Sequence, residues 1–313
     1  MHGFAHGQSS TVLSAAAAVL LVALGASEAA AEPAKALVDE LRAFARTADA
    51  EVERIGRRIW LNETGGRRDR LVEWLDGESH LSLGIGHVIW YPEGPRDGFH
   101  ESFPDLVAFL RQRRVALPAW LTPLGACPWR TRAEFLAASS DPRLIELRDL
   151  LAATVADQAA YLIDRLARAL PALLAAAPDE AARARLSDRI ARVLRTADGS
   201  MASAGVYALV DYVNFKGEGT LPAERYQGEG WGLLQALEAM NDGMADARAA
   251  FAEAAAAVLT RRVALAPPER HEARWLEGWR RRVASYAEDG TLAAAAAADS
   301  PARHDPPARK EAW

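Results

Sequence analysis

The chain has 313 residues; half are hydrophobic, a quarter are charged, and 42 acidic against 37 basic side chains give a net charge of −5. This balance is typical of a globular protein and argues against nucleic acid as the main partner, because nucleic-acid-binding surfaces concentrate Lys and Arg. The single cysteine, Cys127, excludes an intramolecular disulfide and a Cys-rich metal site.

The N-terminal segment has the pattern of an export signal. Residues 12–26 are uncharged and mostly apolar, but this run is shorter than the roughly 20 residues that a membrane-spanning helix needs. Three alanines at 29–31 form a small-residue cleavage pattern, which predicts a signal peptide over residues 1–31 and a periplasmic or secreted mature chain. The basic residues that usually precede the apolar run of a signal peptide are missing before Val12. The alternatives to a cleaved signal peptide are therefore an uncleaved membrane anchor and a misassigned start codon.

The remaining sequence has mostly helical spacing of apolar residues, with one region of short strands. A first helical pattern begins at residue 34, breaks near Thr47 and ends at the glycine pair 65–66. Glycines and short apolar runs over residues 71–92 predict a small antiparallel hairpin region. Further helices are predicted around 106–110, over 144–174, 181–194, 201–215, 244–263 and 269–286, and from 233. The fold class is therefore expected to be α+β, mainly α.

Glu63 is the first candidate for chemistry. It follows an apolar helix, lies near Trp60 and precedes a Gly-rich bend. A carboxyl that is partly desolvated at such a position can hold a proton near neutral pH and act as a general acid. Composition alone also allows a solvated surface glutamate here.

Three segments, in this order, together resemble the lysozyme-like superfamily. Glu63 and its Gly-rich bend precede Ser82–His87, SLGIGH, which is similar to the active-site hairpin of phage-type lysozymes. The run ALVDYVNFKGEG over 208–219 resembles their buried helix, and WLEGWRRRVASY over 275–286 resembles their Arg-rich closing helix. The resemblance spans about residues 35–288 and implies a lysozyme-like catalytic domain over 32–290. The alanine run and the Pro-rich, charged segment after it predict a disordered tail over 291–313.

The resemblance implies roles for individual residues. Glu63 takes the place of the catalytic acid, and Ser82 takes that of the active-site threonine, whose hydroxyl positions a water molecule. The second carboxylate of an inverting lysozyme falls six residues before Ser82, at Asp76, with Glu78 and Asp69 as competitors. The 19-residue spacing from Glu63 to Ser82 exceeds that of the phage enzymes and implies an insertion within 67–79. Without a second carboxylate, the mechanism would be that of a single-acid lytic transglycosylase.

Substrate-binding candidates surround this segment. Asn214 is either a helix cap or a donor to an acetamido group, and His87 is either a structural histidine or a ligand contact. Aromatic side chains suit sugar faces but are also common core residues; the candidates are Trp74, Tyr91, Tyr226 and Trp231. A metal site at His80 and His87 is not expected, because their spacing would place them on opposite sides of a strand.

The sequence therefore predicts an exported, cofactor-free, monomeric glycosidase that cleaves β-1,4-linked amino-sugar polymer, with peptidoglycan as the first choice of substrate. A chitosanase-like enzyme is one alternative, because acidic residues near the expected cleft would favour a cationic glucosamine chain; they are Asp69, Asp76, Glu78 and Glu218. A non-catalytic peptidoglycan-binding module is the alternative from another class. No nucleic-acid partner and no stable membrane span after cleavage are expected.

Overall fold

A computed structural model describes residues 34–94, 96 and 99–293. The predicted signal peptide, its cleavage site after Ala31 and most of the predicted tail lie outside the described residues. Within the described part of the chain, none of the helices is both long and apolar enough to span a membrane. The described fold is mainly helical, with two small antiparallel sheets, which confirms the predicted class at that level.

Two helices open the described chain and confirm the predicted break. Helix α1 covers residues 34–47 and α2 covers Asp49–Thr64. In α2, a buried stripe runs through Val52, Ile55 and Ile59 and reaches Glu63 four residues later, so the helical period turns this carboxyl inward. The helix ends where Gly65 adopts the left-handed conformation, with a φ of 67°.

A three-stranded antiparallel sheet follows, in the order β1 (Val72–Glu73), β2 (Leu81–Leu83), β3 (Val88–Trp90). Leu81 pairs with Trp90 and Leu83 pairs with Val72 and Val88, which gives one apolar face. Ser82 pairs with Glu73 and Ile89 on the other face, so the predicted active-site hydroxyl is directed away from the apolar side of the sheet.

Five helices follow the sheet in the chain: α3 (Phe103–Gln112), α4 (Arg132–Ala137), α5 (Pro142–Ala153), α6 (Val155–Ala175) and α7 (Glu180–Leu194). The predicted single helix over 144–174 is wrong, because the chain leaves helical geometry at Thr154, with φ −116° and ψ 29°. The Thr154 hydroxyl donates to the Leu150 carbonyl and accepts from the Gln158 amide, which stabilises the junction.

Helix α8 (Ser203–Lys216) is the buried central helix that its apolar sequence predicts, and every residue from Gly205 to its end is buried. It packs against α2, α6 and α7, and also against the later helix α9. The remaining elements are β4 (Arg225–Tyr226), β5 (Glu229–Gly230), α9 (Leu233–Glu238), α10 (Ala247–Leu265) and α11 (Leu276–Ala284).

The predicted last helix over 269–286 is shorter than expected. The segment begins with two 3₁₀ turns, Pro268–Arg270 and Glu272–Trp275, and the α-helix α11 starts only at Leu276. His271 separates the turns with a φ of 50°. This left-handed residue interrupts the helix and allows the Glu272 side chain to be buried.

The turn between β2 and β3 packs directly against helix α6. The Ile85 amide donates to Gln158 Oε1 at 3.0 Å, and a Cβ on Gly84 would lie 2.1 Å from the same oxygen. A Cβ on Gly86 would lie 2.9 Å from the Leu162 side chain. The two glycines of the SLGIGH motif thus permit a close approach that presents His87 to the helices.

Replacing Gly84 with alanine should lower the free energy of unfolding by about 2–5 kcal/mol, because the methyl group adds left-handed strain and overlaps Gln158. The matched control is Gly77→Ala, where φ is 84° but nothing lies within 4 Å of the added carbon. The control should lose only about 1–2 kcal/mol. Urea unfolding of both variants measures the difference, and equal losses would contradict the close approach.

Candidate active site

The Glu63 carboxyl is the meeting point of three elements and is only 2% exposed. Its Oε1 accepts hydrogen bonds from Asn214 Nδ2 of α8 at 3.0 Å and from Arg282 Nη2 of α11 at 2.8 Å. Its Oε2 lies 3.5 Å from His87 Nδ1, at the turn between β2 and β3. The structure therefore brings together three residues that the sequence analysis had selected separately, Glu63, His87 and Asn214.

Arg282 connects Glu63 to a second buried carboxylate, Asp211. Arg282 Nε and Nη2 donate to the two Asp211 oxygens at 2.8 and 2.7 Å, and the same Nη2 donates to Glu63. Burial lowers the pKa of Arg282, but the charges of Asp211 and Glu63 raise it well above its ordinary value. The guanidinium is therefore a permanent cation inside the site.

Asp211 is fully buried and accepts two further hydrogen bonds. Tyr286 donates from its hydroxyl to Oδ2 at 2.7 Å, and Asn62 Nδ2 donates to Oδ1 at 3.1 Å. Burial, followed by the charge of Asp211, raises the pKa of Tyr286 well above its ordinary value, so the phenol stays a donor. Four donors from three residues therefore fix the orientation of this carboxylate.

Asn214 Oδ1 and Arg282 Nη1 are buried polar atoms of this site for which no hydrogen-bond partner is found among the described residues. One is an acceptor and the other a donor, and each belongs to a residue that contacts Glu63. Buried polar groups are rarely left unpaired in folded proteins. Asn214 Oδ1 and Arg282 Nη1 can therefore form hydrogen bonds with the polar groups of a ligand or with water.

The predicted water-positioning residue and the candidate bases lie on or near the hairpin. Ser82 is buried in the centre of the sheet, with Glu73 opposite it on β1. Asp76 is in the turn, its side chain 84% exposed and 4.0 Å from Arg132 Nη1. Glu78 Oε2 lies 3.4 Å from His80 Nε2, with only 7% of its side chain exposed. Asp69 forms an exposed ion pair with Arg67.

These contacts separate the three candidate bases. Asp76 has the most exposed side chain of the three, at 84% against 59% for Asp69. Glu78 is turned into the hairpin beside His80, and the Arg67 partner lowers the pKa of Asp69 by hydrogen bonding.

Most of the predicted aromatic sugar contacts belong to the core. Trp74, Tyr91 and Trp231 are 6%, 0% and 1% exposed, so their rings offer almost no surface to a glycan. Their burial favours the core alternative over the groove-lining role expected of them. Tyr226 is half-buried, but its hydroxyl donates to Glu272 at 2.7 Å and its ring lies 4.4 Å from that of Trp231.

The loop that carries Tyr226 and Trp231 is anchored by a buried ion pair. Arg262 Nε and Nη2 each donate to one oxygen of Glu272 at 2.9 Å, and both side chains are fully buried. The Arg262 guanidinium also lies 4.3 Å from the ring centroid of Trp231 and 5.0 Å from that of Trp279. The YQGEGW segment is thus fixed by charge and aromatic contacts.

Glu272→Gln should cost about 3–5 kcal/mol of stability, because it removes the carboxylate charge that faces the buried Arg262. The matched control is Glu269→Gln, an exposed position three residues earlier, which should change the free energy of unfolding by less than about 0.5 kcal/mol. Thermal and urea unfolding measure both. A loss below 1 kcal/mol for Glu272→Gln would show that the pair does not anchor the loop.

The sequence analysis missed the roles of Asp211, Arg282 and Tyr286. A signal was present: Asp211 is the one ionisable carboxyl in an otherwise apolar stretch, residues 205–213, and an isolated charge in a buried helix needs a partner. The partner was harder to find, since 219 residues separate Arg282 from Glu63. No cluster of three or more His, Cys, Asp or Glu side chains among the described residues is placed to hold a metal ion.

In comparisons with known proteins, no family model, no curated protein and no solved structure matches this chain. The functional inference therefore rests on the geometry of the site and on the motif resemblance.

Proposed function

We propose that the protein is an exported glycoside hydrolase of lysozyme-like architecture that cleaves β-1,4-linked amino-sugar glycan, with peptidoglycan as the substrate and Glu63 as the general acid. The observation that carries the proposal is the position of Glu63. It is a buried carboxyl at the end of a helix, held by Asn214 and Arg282, and it lies next to the SLGIGH turn of a small sheet.

This arrangement supplies the first requirement of glycoside cleavage. One carboxylic acid must donate a proton to the oxygen of the leaving sugar, and burial favours the protonated form of a carboxyl. Asn214 and Arg282 both bind Oε1, so they fix the orientation of the carboxyl group. The other oxygen, Oε2, lies 3.5 Å from His87 Nδ1.

Cleavage with inversion at the anomeric carbon requires a second carboxylate that activates water, typically about 6.5–9.5 Å from the acid. Asp76 is the residue we assign to this role, because its carboxylate projects from the hairpin turn and is 84% exposed. Ser82 is assigned to hold the water by hydrogen bonding. The buried acceptor and donor on Asn214 and Arg282 would meet the polar substituents of the sugar.

A lytic transglycosylase is the second candidate. It uses one acid and no activated water, and Asp69 and Glu78 each contact another group, Arg67 and His80. If Asp76 does not face the substrate, Glu63 remains as the single acid. The same site would then cleave the same glycan and leave an anhydro sugar.

Mass spectrometry of the products released from purified peptidoglycan tests these assignments. Reducing ends are expected for the hydrolase, anhydro ends would identify the transglycosylase, and binding without release would indicate a non-catalytic module. Digests of chitin and chitosan run in parallel test the chitosanase alternative. Faster cleavage of chitosan than of peptidoglycan would overturn the proposed substrate.

A further inference from the structure

The turn between β2 and β3 brings His87 to Glu63, where Nδ1 lies 3.5 Å from Oε2. The turn is closed by the His87 amide, which donates to the Gly84 carbonyl at 3.3 Å. A Cβ on Gly86 would lie 3.4 Å from Asn214 Oδ1, so the middle of the turn lies beside the residue whose Nδ2 binds the acid. A displacement of this turn would therefore disturb two neighbours of the acid at once.

One side chain of α6, Gln158, binds the backbone of this turn. We propose that Gln158 is a positioning residue for the reaction: its amide holds the turn so that His87 and Ser82 keep their places beside the acid. The inference rests on the proposed function, in which Glu63 is the acid and Ser82 holds the attacking water.

The partners of the Gln158 amide define its orientation. Oε1 accepts from the Ile85 amide at 3.0 Å. Nε2 donates to the Leu151 carbonyl at 2.6 Å and to Thr154 Oγ1 at 3.1 Å. The Thr154 hydroxyl itself donates to the Leu150 carbonyl, so both atoms that face Nε2 are acceptors. A backbone N–H can only donate, so a flipped Gln158 amide would lose these contacts.

The break between α5 and α6 provides the polar anchor for this side chain. The end of a helix leaves its last carbonyls without intrahelical partners. At the end of α5, the Leu150 carbonyl accepts from the Thr154 hydroxyl and the Leu151 carbonyl accepts from the Gln158 amide. The same amide then reaches Ile85 with its other end, so the helix break and the turn are joined through one side chain.

The surroundings of Gln158 make this contact specific. Gln158 is 2% exposed and Ile85 is fully buried. A Cβ on Gly84 would lie 2.1 Å from Gln158 Oε1 and 3.3 Å from the Leu151 side chain, so the turn approaches α5 and α6 closely. A buried amide that loses its acceptor is costly, and a hydrogen bond is directional. The contact therefore favours one position of the turn relative to the helices.

Hydrogen exchange tests the contact without substrate. Gln158→Met removes the amide at nearly the same side-chain length, and Thr154→Val is the matched control because it alters the same helix break but leaves the partner of the Ile85 amide. With ¹⁵N-labelled isoleucine, exchange at Ile85 relative to that at Ile163 of α6 should become at least about ten times faster in Gln158→Met. The ratio should stay within about three-fold in Thr154→Val. The ratio separates a local release of the turn from a general loss of stability.

The ring signals of His87 report on the position of the turn next to the acid. These signals are identified by their disappearance in His87→Gln. They should move in Gln158→Met and stay in place in Thr154→Val, because only the first substitution releases the turn.

Kinetics on soluble peptidoglycan fragments test the role in the reaction. Gln158→Met should lower kcat by about 10–100-fold and leave KM within about three-fold, because a misplaced turn affects the reacting groups more than binding along the glycan. Thr154→Val should keep kcat within about three-fold of the wild-type value. Both variants should lower the melting temperature by a similar amount, about 2–6 °C.

Unchanged exchange at Ile85 in folded Gln158→Met would overturn the proposal, and so would equal losses of kcat in Gln158→Met and Thr154→Val. If Gln158→Met does not fold, Gln158→Asn takes its place, because an amide that is one carbon shorter cannot hold both Ile85 and Leu151. A wild-type chain that cleaves no glycan would refute the proposed function. The exchange ratio would then still decide whether Gln158 holds the turn.

Discussion

Glu63→Gln is expected to lower the rate of peptidoglycan cleavage by at least 10²–10⁴-fold, the range typical of losing general acid catalysis. Glutamine keeps the size of the side chain and can still accept from Asn214 and Arg282, but it cannot donate a proton to a leaving oxygen. Initial rates of release of soluble fragments from purified peptidoglycan measure the effect.

A control at the hairpin distinguishes catalysis from folding in this experiment. Glu73→Gln changes a carboxylate on β1 that is paired with Arg70 and has 19% of its side chain exposed. It should retain most of the activity, and the melting temperatures of both variants show whether either substitution unfolds the chain. If Glu63→Gln keeps more than a tenth of the wild-type rate, the acid is another residue.

Asp76→Asn is expected to abolish hydrolysis, as Glu63→Gln does, because inversion needs a base to take a proton from the attacking water. Since Asp76 is exposed and its ion pair with Arg132 is at 4.0 Å, the substitution should hardly change stability. Rates and melting temperatures measured together separate a catalytic loss from an unfolding loss.

Glu78→Gln and Asp69→Asn are the matched comparisons for this prediction, and both should retain substantial activity. A larger loss in Glu78→Gln than in Asp76→Asn would move the base to Glu78, beside His80. Near-full activity in all three variants would show that no second carboxylate is used. The transglycosylase mechanism would then replace hydrolysis.

The elements that sequence predicts well are those whose cause is local. The break after α1 and the buried α8 follow from apolar spacing, and the hairpin follows from clustered glycines. The prediction of one long helix over 144–174 is wrong because the spacing of apolar residues around Thr154 does not indicate a break. The departure of Thr154 from helical geometry depends on a hydroxyl and on Gln158, which also binds the Ile85 amide of the distant turn.

The residues of the candidate site likewise divide into those that nearby sequence predicts and those that depend on distant contacts. Glu63 could be selected from its place at the end of a helix, and Asn214 from the resemblance, because each depends on nearby residues. The core positions of Tyr91 and Trp231 could not be separated from a binding role, since an aromatic ring suits both environments. The contact of Glu63 with Arg282 depends on how α2 and α11 pack and has no local signature.

The distance in sequence between Glu63 and Arg282 has a consequence for when the site comes into existence. Synthesis proceeds from the N-terminus, so the acid and the SLGIGH turn emerge early, whereas the guanidinium that orients the acid emerges 219 residues later. A nascent or truncated chain that stops before α11 contains the acid but lacks the group that binds its Oε1 together with Asn214. Completion of the domain and assembly of the site are thus one event, and no N-terminal fragment carries the whole arrangement.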